Sequence, residues 1–164
     1  MWLASVVPDA PDDLYPSGLP VRELFGVPVH VLVAHSAVVL LPLAAIGLIF
    51  IATSITRSKR YGGAVALLAV LGFLASYFAV ASGEDLSRAF GYADQQHFRL
   101  GFWVPWFGLA VTVAATLLWL LDKKPSKRGG PAKIIALVSF VVAAAAIALV
   151  AWTGLSGDQL TWAT

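Results

Sequence analysis

Four long runs of apolar residues, separated by short polar or charged segments, dominate the pattern along the chain. They extend from about Val27 to Thr56, from Tyr61 to Ser82, from Phe98 to Leu121 and from Ala132 to about Thr153. Each reaches or exceeds the roughly 20 residues that carry an α-helix across a hydrocarbon core at about 1.5 Å per residue. Inside hydrocarbon each backbone N–H and C=O must find its partner within the protein, so the runs predict helices packed as a bundle. The pattern thus describes an all-α membrane protein: an extended N-terminal arm over residues 1–26, then a four-helix transmembrane domain with short loops over 27–164.

The polar segments refine this picture. The arm carries Pro8, Pro11, Pro16 and Pro20 around an acidic centre of Asp9, Asp12 and Asp13, which suits an extended or surface-lying strand of chain. It lacks the basic start and short apolar core of a cleavable signal peptide, so the first span is expected to insert as its own uncleaved signal. Between spans two and three, Ser82 followed by Asp85 fits a capping box, predicting a separate short interfacial helix over Glu84–Phe90. Pro42 and Pro105 are expected to kink spans one and three, and the alanine-rich fourth span offers a close approach to a neighbouring helix.

Composition excludes a soluble reading. Of 164 residues, 59% are hydrophobic and 12% charged, and the mean hydropathy is +0.83. Soluble domains have about 45–50% and about 25%. There is no cysteine, which removes disulfides, thiolate metal sites and iron–sulfur ligation and leaves His, Asp and Glu as ligands.

Charge then assigns the two ends of the bundle. Arg57, Lys59, Arg60, Lys123, Lys124, Lys127, Arg128 and Lys133 lie at one end with a single acid, Asp122. Arg22, Arg88 and Arg99 lie at the other end with the remaining eight acids. By the positive-inside rule the basic end is cytoplasmic and both termini are extracytoplasmic, with Trp103, Trp106, Trp152 and Trp162 near the outer interface. The basic segments therefore read as topology signals and not as a nucleic-acid site.

All the candidate chemistry falls at the outer end: His30, His35, Glu84, Asp85, Asp94, His97 and Asp158. An ionisable residue inside a span is costly without a partner, and His35, roughly 10 Å along the first helix, meets that description best. Five residues separate His30 from His35, about 140° around an ideal helix, so the two do not chelate one ion. A shared site needs a second helix, and His97 can reach toward His35 or across to His30. Two histidines from facing helices suit the axial positions of a haem b, with Phe73, Tyr77, Trp103, Gly72, Gly101 and Gly108 lining the ring. His35, His97 and Glu84 suit a zinc or copper ion instead. The structural alternatives are a His30 hydrogen-bonded to backbone, a His97 capping span three, capping or solvated Glu84 and Asp85, and snorkelling Arg88 and Arg99.

The segment Gly26-Val27-Pro28-Val29-His30-Val31-Leu32-Val33-Ala34-His35, the Ala81-Ser82-Gly83-Glu84 end of span two, and His97 with Leu100-Gly101 resemble the bacterial membrane family called domain of unknown function 2231. Val31 stands where the family has a proline after the first histidine, and Ser36-Ala37 where Phe-Pro is common. The resemblance implies four spans, a bacterial cytoplasmic membrane and a redox neighbourhood, since some members are joined to Rieske-type iron–sulfur domains. Two functions are expected from these readings: a haem- or metal-binding redox protein, or an accessory subunit of a larger respiratory-type complex, or homo-oligomer, with no cofactor of its own. No Ser-His-Asp order, phosphate loop or HExxH motif points to an enzyme.

Overall fold

The computed structural model describes residues 23–24, 27–90 and 96–162, with side-chain surroundings for 29–83 and 96–156. Most of the N-terminal arm lies outside these. Its end forms a minimal antiparallel ladder, β1 (Glu23–Leu24) on β2 (Val27–Pro28), which leads directly into α1 (Val29–Ala52). Then follow α2 (Ile55–Phe90), α3 (Gln96–Gly101), α4 (Val104–Asp122) and α5 (Gly130–Trp162).

Among the described residues, four helical segments are long and apolar enough to cross a membrane: Val29–Ala52, Ile55–Gly83, Gln96–Asp122 and Gly130–Ser156. The shortest has 24 residues and measures about 36 Å, against about 30 Å of hydrocarbon. The chain is a four-helix membrane bundle, and an even number of crossings brings the start of α1 and the end of α5 to the same side. Outward positions confirm the solvent: Val39 is 62% exposed and Leu137 70%, a surface that contacts lipid and that water would not tolerate over such an area.

Three boundaries differ from the sequence expectation, each for a local reason. The turn between α1 and α2 is only Thr53–Ser54, so Arg57, Lys59 and Arg60 ride on the first turns of α2 and not in a loop. At the far end α2 runs unbroken through Ser82 to Phe90. Ser82 is no cap: its hydroxyl donates back to the carbonyls of Phe78 (2.8 Å) and Ala79 (3.2 Å), as a serine inside a helix does. Span three is broken where the sequence predicts a kink. Pro105 has no N–H for the carbonyl of Gly101 and its ring crowds that carbonyl. α3 therefore closes with a tight turn, Trp103 N–H to Leu100 O at 3.0 Å, and α4 restarts with Pro105 in its first turn. Pro42, by contrast, sits inside an uninterrupted α1.

Around the bundle α1 adjoins α2 and α5, and α4 closes the ring opposite α1. The core stripe of α1, Leu41, Ala44, Ala45, Leu48 and Ile51, recurs at helical spacing and is fully buried. It meets Ala69 of α2, Val111, Ala115 and Leu118 of α4, and Ala143 and Ala146 of α5. Small residues predominate because helices in lipid associate through close packing and not through exclusion of water. Gly72 shows how close: a Cβ there would lie 3.1 Å from the backbone of Leu41. At the basic end Gly62 and Gly63 lie under the Trp119 indole, which Lys123 covers with its ammonium 3.9 Å from the ring centroid.

The basic end also holds a buried ion pair. Asp122, the last residue of α4, is 0% exposed and accepts from Arg128 Nη2 at 2.8 Å and Nε at 3.0 Å. The same guanidinium donates to the carbonyls of Ile51 (2.7 Å) and Ala52, the open C-terminal end of α1.

Candidate functional site

The histidine end contains a cavity of about 390 Å³ between all four membrane-crossing segments. α1 contributes His30, Ala34 and Ala37, α2 contributes Ser76, Ala79 and Gly83, α3 contributes His97, Phe98 and Arg99, and α5 contributes Val150, Thr153 and Gly154. Its walls are mostly apolar and small, with the imidazoles and the Arg99 guanidinium as the polar groups able to engage a ligand.

Each imidazole is held by a neighbouring helix. His30 Nδ1 lies 3.0 Å from the carbonyl oxygen of Ala79 and 3.3 Å from Ser82 Oγ, both on α2. The ring lies directly against Gly83, where a Cβ would come within 2.9 Å of His30 Cε1. Glycine is thus required for the ring to occupy this place. His97 Nδ1 lies 2.9 Å from the carbonyl oxygen of Thr153 on α5, which also accepts from Ser156 Oγ. A carbonyl only accepts, so in both rings Nδ1 carries the hydrogen. In neutral imidazole Nε2 is then a bare lone pair.

No family model, curated protein or solved structure matches the chain. The chemistry must be read from the site itself.

The structure brings His30 and His97 to one cavity and leaves His35 outside it. His35 is exposed on the outer face of α1, its Nδ1 2.6 Å from its own Val31 carbonyl. The 140° offset from His30 is the cause: with His30 turned inward, His35 turns out. The His35 with His97 arrangement expected from sequence is therefore not the one that forms. The zinc or copper set of His35, His97 and Glu84 loses its first member in the same way, and the Glu84 side chain lies outside the described residues, as do those of Asp85, Asp94 and Asp158. Among the described residues no three metal-ligating side chains gather at one point.

Of the residues expected to line a ring, only Gly101 borders the cavity. Gly72 packs on α1, Gly108 packs on Phe73, and Tyr77 and Trp103 are more than half exposed. Sequence reasoning missed the roles of Ala79, Gly83 and Thr153. Two of these act through backbone carbonyls, which no residue type announces. Gly83 carried a signal, being a glycine one residue beyond an apolar span.

Proposed function

We propose that this protein holds a haem b in the cavity at the histidine end, where His30 and His97 would hold its iron through Nε2. The observation that supports this is the shared tautomer: each ring donates Nδ1–H to a backbone carbonyl, which leaves Nε2 as a lone pair, and both residues line the same cavity. Ligating histidines are oriented in this way, since the carbonyl fixes the ring and raises its basicity. Among the described residues, His30 and His97 are the two metal-ligating side chains at the cavity, and a porphyrin would bring further donors of its own.

The walls include the small residues Ala34, Ala37, Ala79, Gly83 and Gly101, and Arg99 would offer the haem carboxylates a cationic partner. Bound haem would supply one-electron transfer. The protein's part is to fix both imidazoles from separate helices and to surround the site with apolar side chains, which set its potential. With the basic end cytoplasmic by the positive-inside rule, the site would face outward across a bacterial cytoplasmic membrane. A reduced-minus-oxidised absorption spectrum, taken with elemental analysis on the same purified sample, is expected to give a b-type signature and one iron per chain. A featureless spectrum and no iron would overturn the reading.

One observation favours a second role alongside the first. His35 lies within a span yet on its outer face, where an imidazole in hydrocarbon is costly unless another protein covers it. This suits a subunit of a larger membrane assembly. Cross-linking from position 35 in native membranes is expected to capture a second polypeptide, and products containing lipid alone would count against it.

A further inference from the structure

Next to the histidine cavity, and sharing Arg99 with it, lies a shallower pocket of about 470 Å³ framed by Gln96, Arg99 and Leu100 of α3, Trp103, and Trp152 of α5. Its hydrogen-bonding groups are almost all donors. Arg99 brings a fork of N–H groups, each indole one N–H, and Gln96 an amide NH₂ beside its single carbonyl oxygen. None of the five residues carries a carboxylate. A donor set with a fixed positive charge selects a ligand whose oxygens only accept and whose charge is negative, and the planar guanidinium matches two oxygens of a phosphate.

The remaining surface says what carries that phosphate. Trp103 and Trp152 are 55% and 58% exposed, and with Leu100 they give the pocket apolar sides. They stand at the end of the bundle where tryptophan meets lipid headgroups. Below them the exposed side of α5 continues with Ala148, Ala144 and Val141, a surface for acyl chains. An Arg99 that merely snorkelled would need no such frame of two indoles and an amide.

We propose that this pocket binds the phosphate of an anionic phospholipid, held by Arg99 and Gln96 between Trp103 and Trp152. Anionic lipid is favoured over zwitterionic because a choline or ethanolamine group would bring a second cation against the guanidinium. The pocket shares Arg99 with the cavity proposed for haem but uses neither imidazole, so the lipid preference is read without any haem signal.

The test is native mass spectrometry of the full chain after exposure to an equimolar mixture of phosphatidylglycerol and phosphatidylcholine. One phosphatidylglycerol is expected to be retained about tenfold over phosphatidylcholine, and Arg99→Gln is expected to bring the two to near parity. Trp152→Phe, which keeps an aromatic ring and removes the indole N–H, is expected to weaken the preference by about threefold. Equal retention of both lipids by the wild type, or an undiminished preference in Arg99→Gln, overturns the proposal. Competition with millimolar inorganic phosphate or glycerol 3-phosphate is expected to leave the lipid in place. Displacement by either would assign the pocket to a free phosphate compound and overturn the lipid assignment.

Discussion

Arg128→Met is expected to lower the free energy of unfolding by about 3–5 kcal/mol, because it leaves the Asp122 carboxylate buried without its partner. Asp122 is 0% exposed and Arg128 13%, so water cannot take over the role of the guanidinium. The substitution also uncaps the carbonyls of Ile51 and Ala52 at the C-terminal end of α1, where a cation complements the helix dipole. One side chain therefore ties together the end of α1, the end of α4 and the segment leading into α5.

The ion pair itself is not the source of net stability, because desolvating two charges costs about as much as their attraction returns. The double variant Asp122→Leu with Arg128→Met should accordingly recover much of the loss, while leaving the α1 carbonyls open. Arg128→Lys should fall between wild type and Arg128→Met, since an ammonium cannot span the carboxylate and two carbonyls as the fork does. Unfolding in a denaturing-detergent titration measures all three. A single Arg128→Met within about 0.5 kcal/mol of wild type would show that the staple carries no weight, as at an ordinary surface position.

The spans were legible in the sequence because the bilayer imposes one requirement on every residue of a crossing helix, and composition alone reveals it. Their ends were less so. Ser82 with Asp85 has the form of a helix start, yet in place the chain is already helical and the hydroxyl bonds backward. Nothing local distinguishes the two uses of serine. Pro105 was read as a kink and makes a full break, because its crowding falls on the carbonyl of Gly101, at the last residue of α3.

At the basic end, Asp122 counted only as one acid among eight bases. Its position directly after an apolar run, with an arginine among lysines six residues later, was the available sign of a buried pair. The sequence placed the candidate chemistry at one end of the bundle, and of its three histidines the structure brings His30 and His97 to one cavity there. Depth in the membrane favoured His35 over His30, but depth does not say which way a side chain turns. The five-residue offset did contain that information in part, because it allows only one of the pair to face inward. The space that His30 fills exists because Gly83 on α2 has no side chain.

The second large effect follows from this division of the histidines. His30→Ala and His97→Ala each remove a proposed iron ligand. Losing a residue that only supports a ligand costs about 10–100-fold in affinity, so losing a ligand should cost at least that. His35→Ala touches neither the cavity nor its walls and should retain the cofactor. The reduced-minus-oxidised spectrum of these three variants beside wild type, each normalised to protein, is the most direct test of the account. It is expected to show the b-type signature in wild type and His35→Ala and to lose it in His30→Ala and His97→Ala. Its loss in His35→Ala with retention in His30→Ala, or its absence from wild type, would contradict the account.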